Sequence, residues 1–237
     1  MGRIFKYVML DIFKNKIVIF YTILLAMLSW SAFSLEDNES KGLLTLLNII
    51  LLTVPLVSIL FTTIYIYNSS EFVELLVSLP IKRKVIWNSL FIGLGLSLSL
   101  SFILGAGIPL LIYAEFNNAL LFIAAGILTT LIFVALAFLS SILSKDKAKG
   151  IGVSIILWLY FALLFDGLIL FLLYQLSEYP IEKMMVVITS LSPIDLARIL
   201  ILLNLDVSAM LGYTGAIFKD FFGTTQGLII SFGLLLL

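Results

Sequence analysis

Residues 69–84 read SSEFVELLVSLPIKRK. They lie between two apolar runs, 43–67 and 85–114, each longer than the about 20 residues a membrane span needs. The stretch is too polar to cross a bilayer and too apolar for a plain solvated loop. Ser70 can cap a helix whose first turn carries Glu71 and Glu74, where the N-terminal dipole favours acids. Phe72, Leu75, Leu76 and Leu79 recur at helical spacing on one face. Pro80 biases Leu79 out of helical geometry and ends the run. The pattern predicts a helix of about nine residues, roughly 14 Å long. Its apolar face can rest on a membrane or fill a groove in a partner. Lys82, Arg83 and Lys84 then anchor the next apolar run at the headgroups.

The rest of the chain fits this setting. Of 237 residues, 62% are hydrophobic and 12% charged, against about 25% charged in soluble domains. Mean hydropathy is +1.22. The expected fold is all-α: one polytopic transmembrane domain over 1–237, with no room for a soluble domain beside it. Spans are predicted at 17–34, 43–67, 85–114, 119–143 and 151–176. A sixth begins near 227 and runs to 237, a rise of only about 16 Å, so either the segment stops inside the membrane or, as expected, further sequence completes it. Segment 1–16, MGRIFKYVMLDIFKNK, has Ile4, Phe5, Val8, Ile12 and Phe13 near helical spacing and cations at Arg3, Lys6, Lys14 and Lys16. It predicts an amphipathic helix lying on the membrane rather than a cleaved signal peptide. Pro55 and Pro109, with Gly93, Gly95, Gly105 and Gly107, mark places for kinks or close helix approach; ordinary membrane-helix composition accounts for them as well.

Positive charge sets the expected orientation. Cations cluster in 1–16, at Lys82–Lys84 and at Lys145, Lys147 and Lys149, whereas the intervening loops, LEDNESK and AEFNN, hold only Lys41. This predicts a cytoplasmic N-terminus, a cytoplasmic 69–84 and an external 177–226. A competing topology makes 184–203 a span interrupted by Pro193.

The chain has no Cys and no His. Disulfides, thiol chemistry and His-based acid–base or zinc chemistry are excluded. No G-x-x-x-x-G-K-[ST] phosphate loop is present, so the chain cannot bind ATP by that route. No nucleophile–base pair suggests an intramembrane enzyme.

Glu74-Leu75-Leu76-Val77-Ser78-Leu79-Pro80 followed by Ile81-Lys82-Arg83-Lys84 resembles the segment between spans two and three of type-2 ABC transporter permeases. The resemblance extends to the amphipathic leader and the six-span plan. It implies that 69–84 is the coupling helix, docking into a cleft of a cytoplasmic ATPase through Glu71, Phe72, Glu74, Leu75, Leu76, Pro80, Lys82 and Arg83. Phe72-Val73 stand where the family usually has Gly-Thr, so the local turn can differ. Two copies of the ATPase, which carries the ATP and Mg, and a second copy of this chain are the implied partners, in a bacterial cytoplasmic membrane. The lipid bilayer is the medium, and no nucleic acid is expected.

Two further stretches, LLFDGLIL at 163–170 and LSPIDLAR at 191–198, are similar to the NosY-type permeases of the copper-processing ABC system that matures nitrous oxide reductase. Ser192 stands where those have Asn. The resemblance implies a periplasmic β-helical partner handling copper or sulfur, and an external partner-facing element at Ser192, Pro193, Asp195 and Arg198.

The residues carry their own readings beside this. Asp166, about 22 Å into the fifth span, is the only acid well inside any span, at a cost of roughly 2.5–3.5 kcal/mol. It is either a polar point in a translocation path or a structural acid hydrogen-bonded to a neighbour. Ser192-Pro193-Ile194-Asp195 predicts a helix start, with Asp195 and Arg198 able to pair. Copper(I) takes soft ligands, which leaves methionine. Met27, Met184, Met185 and Met210 are better read as packing residues, so no metal site is assigned. Alternatives to the NosY-type role are an exporter of lipid, peptide or drug and a non-transporting membrane scaffold.

Overall fold

The computed structural model describes residues 2–36, 38–175, 188–205 and Gly233. Among them every regular element is helical, and five helices are long and apolar enough to cross a membrane. The sixth predicted span apart from Gly233, and residues 177–187 and 206–226 of the predicted external segment, fall outside the described residues.

Helix α1 (Gly2–Phe13) is followed by α2 (Lys16–Leu35), where Asn15 caps the start by accepting the Ile17 amide at 2.9 Å. Helix α3 (Glu39–Asn68) runs straight through Pro55, and α4 (Ser70–Ser78) follows at once. Helices α5 (Arg83–Phe102) and α6 (Ile108–Tyr113) are joined by a π-helical turn, Ile103–Gly107, into one 31-residue rod. Helix α7 (Phe116–Leu143) returns. A second rod joins α8 (Lys147–Leu159) and α9 (Phe165–Gln175) through a π turn at Tyr160–Leu164. Helix α10 (Pro193–Asn204) completes the described part. The five apolar helices overlap the first five predicted spans, extended by one to four residues at most ends; α3, at 30 residues, is about 45 Å long and outruns a hydrocarbon core of roughly 30 Å.

The buried residues form two clusters. One gathers Val8 and Ile12 of α1, Val18, Phe61, Ile66, Leu76, and Ile86 to Leu98 of α5. The other gathers the start of α3, Phe102, Phe122, Phe133 and the inner face of α10. The buried positions of α1 belong to the predicted apolar face, and that face lies along α5. Glycine makes this approach possible: a Cβ on Gly93 would meet the Val8 side chain at 2.8 Å. At Gly105, in the first π turn, a Cβ would lie 2.8 Å from Leu25 Cβ and 2.9 Å from the Thr22 carbonyl oxygen of α2. The extra residue of a π turn displaces the following half-helix, and here that places Gly105 against α2.

Cations collect at one end. Lys147 Nζ donates to Asn68 Oδ1 at 2.8 Å, and Tyr67 Oη donates to the Ser144 carbonyl at 2.6 Å, so the loops after α3 and α7 are neighbours. At the opposite end Glu39 Oε1 accepts the Glu115 amide at 2.9 Å, and Tyr113 packs its ring on Phe33 and Trp30.

Candidate functional site

Two places carry the polar and exposed groups that the sequence singles out, one at each end of the bundle.

At the cationic end α4 has the predicted nine residues, and Leu79 leaves helical geometry before Pro80. Its start differs from expectation. Ser69, not Ser70, is the capping residue, and its hydroxyl donates back to the Tyr65 carbonyl at 2.8 Å instead of capping α4. The apolar face is also rotated. Leu76 is buried, and Phe72, Val73 and Ile81 pack around it; the Phe72 ring stacks on Tyr7 of α1 at 5.5 Å. Leu75, placed by periodicity on the same face, is 68% exposed, and Leu79 is exposed beyond the helix end. The outer surface of α4 therefore presents Glu71, Glu74, Leu75 and Ser78, with Pro80, Lys82 and Arg83 exposed just after it. Helix α4 is a short rod resting on α1, α3 and α5, with a mixed acidic and apolar outer face.

At the other end Ser192 caps α10 as predicted, its hydroxyl accepting the Asp195 amide at 3.3 Å, with Pro193 in the first turn. Helix α10 lies on α7, α3 and the second π turn, burying Ile194, Ala197 and Ile201. That seat carries Arg198 to Asp166, at the start of α9. Arg198 Nη1 donates to both Asp166 carboxylate oxygens, at 3.0 and 2.8 Å, and to Asp195 Oδ1 at 3.4 Å. The predicted Asp195–Arg198 pair forms, but it is the longer contact. Asp166 thus has a hydrogen-bonded neighbour in Arg198. Asp195 is 4% exposed, and its Oδ2 has no hydrogen-bond donor among the described residues. Burial, reinforced by the facing Asp166 carboxylate, pushes the Asp195 carboxyl up to about 7 against the lowering contacts of Ser192 and Arg198.

Sequence reasoning misses other interhelical links as well. Thr63, Ser140 and Ser154 join α3, α7 and α8 through hydroxyl contacts of 2.7, 2.8 and 3.4 Å, all buried. Trp158 Nε1 donates to the Leu52 carbonyl at 3.3 Å. Single hydroxyls in three separate apolar spans leave no local pattern to find. No group of three or more acidic residues at metal-binding distance occurs among the described residues. Met27 is exposed on α2, and Met184, Met185 and Met210 lie outside the described residues.

No family model matches the chain. Over 145 residues it is 29% identical to a curated protein of Pseudomonas aeruginosa, "Probable ABC transporter permease protein NosY". The chain is similar to a NosY-type permease. The match covers 57% of this chain and 53% of that one, so the chain spans about half the length of the curated relative it matches. A helical bundle with several apolar rods agrees with a NosY-like permease.

Proposed function

We propose that the chain is the membrane-spanning permease subunit of an ABC transporter. It couples ATP hydrolysis by two copies of a separate cytoplasmic ATPase to transport, or to movement of a periplasmic partner, in copper or sulfur supply for nitrous oxide reductase maturation. The observation that carries the coupling role is the outer face of α4. Glu71, Glu74 and Leu75 are exposed on a helix whose inner face is packed on α1, α3 and α5. A load on that face passes directly into the two longest rods. The NosY-type relative supports the choice of transporter class. The cation-rich end, which holds α4, is the cytoplasmic one in this reading. The apolar flank of Lys147–Leu172, scarcely covered by other described residues, is free for lipid or for a second copy of the chain.

Gentle solubilisation of native membranes, capture of this chain and identification of the co-purifying chains by mass spectrometry test the proposal. An ATPase together with a periplasmic repeat protein is the expected result. An ATPase alone would favour an exporter of lipid, peptide or drug. Capture without any ATPase would overturn the coupling role.

A further inference from the structure

The cluster at α9 and α10 contains two carboxylates and one guanidinium. Arg198 Nη1 has two hydrogens and three carboxylate oxygens within reach, so one acceptor is held weakly; at 3.4 Å it is Asp195 Oδ1. Asp195 Oδ2 and Arg198 Nε are both buried without a hydrogen-bond partner among the described residues. Asp166 and Asp195 converge on the same guanidinium nitrogen, so two acceptors lie side by side, an arrangement that one shared proton relieves. With both acids ionised the cluster carries a net negative charge among apolar side chains, which is costly. One proton makes it neutral and supplies the missing donor.

We propose that Asp166, Arg198 and Asp195 form a proton-binding site, with the proton on Asp195, and that its occupancy sets how firmly α10 is held to α9. In the protonated state Asp195 donates to Asp166 while Arg198 keeps its two bonds to the same carboxylate, so α10 grips α9 through two residues. Loss of the proton, for which the partly exposed Asp166 and Arg198 side chains offer a way out, leaves two like charges competing for one guanidinium nitrogen. The grip then loosens. The titration falls near neutral pH, because burial raises the Asp195 carboxyl to about 7. Other elements packed on α10 do not supply this charge. Helix α7 has no ionisable residue, those of α3 sit at its ends (Glu39 and Lys41, Tyr65 and Tyr67), and the second π turn offers only Tyr160.

The site goes beyond the permease reading and does not depend on it. The test uses the full chain reconstituted in lipid nanodiscs. Infrared titration from about pH 5 to about pH 9 should show a protonated carboxyl band that disappears near neutral pH. Asp195→Asn should remove that band, and Asp166→Asn should lower its midpoint by about one pH unit. Since the chain has no cysteine, cysteines placed at the exposed positions Phe171 and Leu191 take spin labels cleanly. The distance between them should lengthen or broaden above the midpoint, and Asp195→Asn should hold the shorter distance at every pH. A band unchanged by Asp195→Asn, or no titrating band, overturns the proton site. A distance that ignores pH while the band titrates overturns the grip. Neither readout involves an ATPase, so failure here leaves the coupling proposal standing.

Discussion

Arg198 reaches across 32 positions of sequence to hold both oxygens of Asp166, at 2.8 and 3.0 Å, and so fastens α10 to the fifth apolar helix. Removing the cation should cost more than removing the acid. Arg198→Ala leaves Asp166 and Asp195 facing each other with no counter-charge. Asp166→Asn still offers Arg198 an acceptor and relieves the repulsion. About a third of both side chains is exposed, 29% for Arg198 and 35% for Asp166, so the loss in Arg198→Ala should be about 1–2 kcal/mol rather than the roughly 3–5 kcal/mol of a fully buried pair. Thermal unfolding of purified protein followed by size exclusion reads this. The double variant Asp166→Asn/Arg198→Gln should recover part of the loss.

Asp195 gives the fold a pH dependence of definite sign. Its carboxyl is raised in the folded chain to about 7, whereas in the unfolded chain it ionises near the ordinary value, 3.8. Between these values the folded chain binds a proton that the unfolded one has released. Stability contributed by this group is therefore complete below the unfolded value and is lost as pH rises through about 7. The melting temperature should fall from about pH 5 to pH 7.5 in the parent, and Asp195→Asn should flatten that slope. A parallel slope in the variant would assign the effect to other groups.

Five apolar helices were legible because about 20 successive apolar residues leave few structural choices, and cation counts in short loops group the ends. The stop of α4 was legible too, since Pro80 acts locally. Which side of α4 faces inward was not. Over nine residues, periodicity alone does not separate a face centred on Phe72, Leu75 and Leu76 from one centred on Phe72, Val73 and Leu76. Contact with Tyr7 and Ile86 decides it. Within the cluster, Ser192 and the Asp195–Arg198 pair are local patterns and could be read directly. The Asp166–Arg198 pair joins distant segments and leaves no periodic trace. The second π turn has neither Gly nor Pro to announce it, whereas Gly105 and Gly107 mark the first.

The rotated face of α4 separates docking from folding. Leu76→Ala removes a buried side chain and should destabilise the fold by about 2–3 kcal/mol, whatever the partner. Leu75→Ala and Glu74→Lys alter only exposed groups and should leave the unfolding free energy within about 0.5 kcal/mol of the parent. Both should nevertheless weaken ATPase capture, Glu74→Lys the more. If Glu74→Lys captures ATPase as well as the parent does, α4 is not the coupling surface.

The hydroxyl contacts of Thr63, Ser140 and Ser154 should contribute modestly. Thr63→Val keeps the shape and removes one member of the cluster, leaving the Ser140–Ser154 contact at 2.8 Å in place. Interhelical hydrogen bonds in membranes average about 0.6 kcal/mol, and a loss near that value is expected. Ser154→Ala breaks both short contacts and should cost about twice as much. Unfolding in mild detergent with a denaturant series would resolve the order.

Close approach at Gly105 should tolerate the least change. A Cβ there would press on Leu25 Cβ at 2.8 Å and on the Thr22 backbone oxygen at 2.9 Å, and a backbone atom cannot turn aside as a side-chain end can. Gly105→Ala should therefore separate α2 from the α5–α6 rod at a cost of about 1–3 kcal/mol, and Gly105→Leu should abolish a monodisperse product. Gly152 in α8 is the matched control, because no described residue lies within 4 Å of its added Cβ. Gly152→Ala gains helix propensity and should stabilise by about 0.5–1 kcal/mol. Size-exclusion profiles and melting temperatures of the two alanine variants, measured side by side, should move in opposite directions. If Gly105→Ala behaves like Gly152→Ala, α2 is not seated on the first π turn.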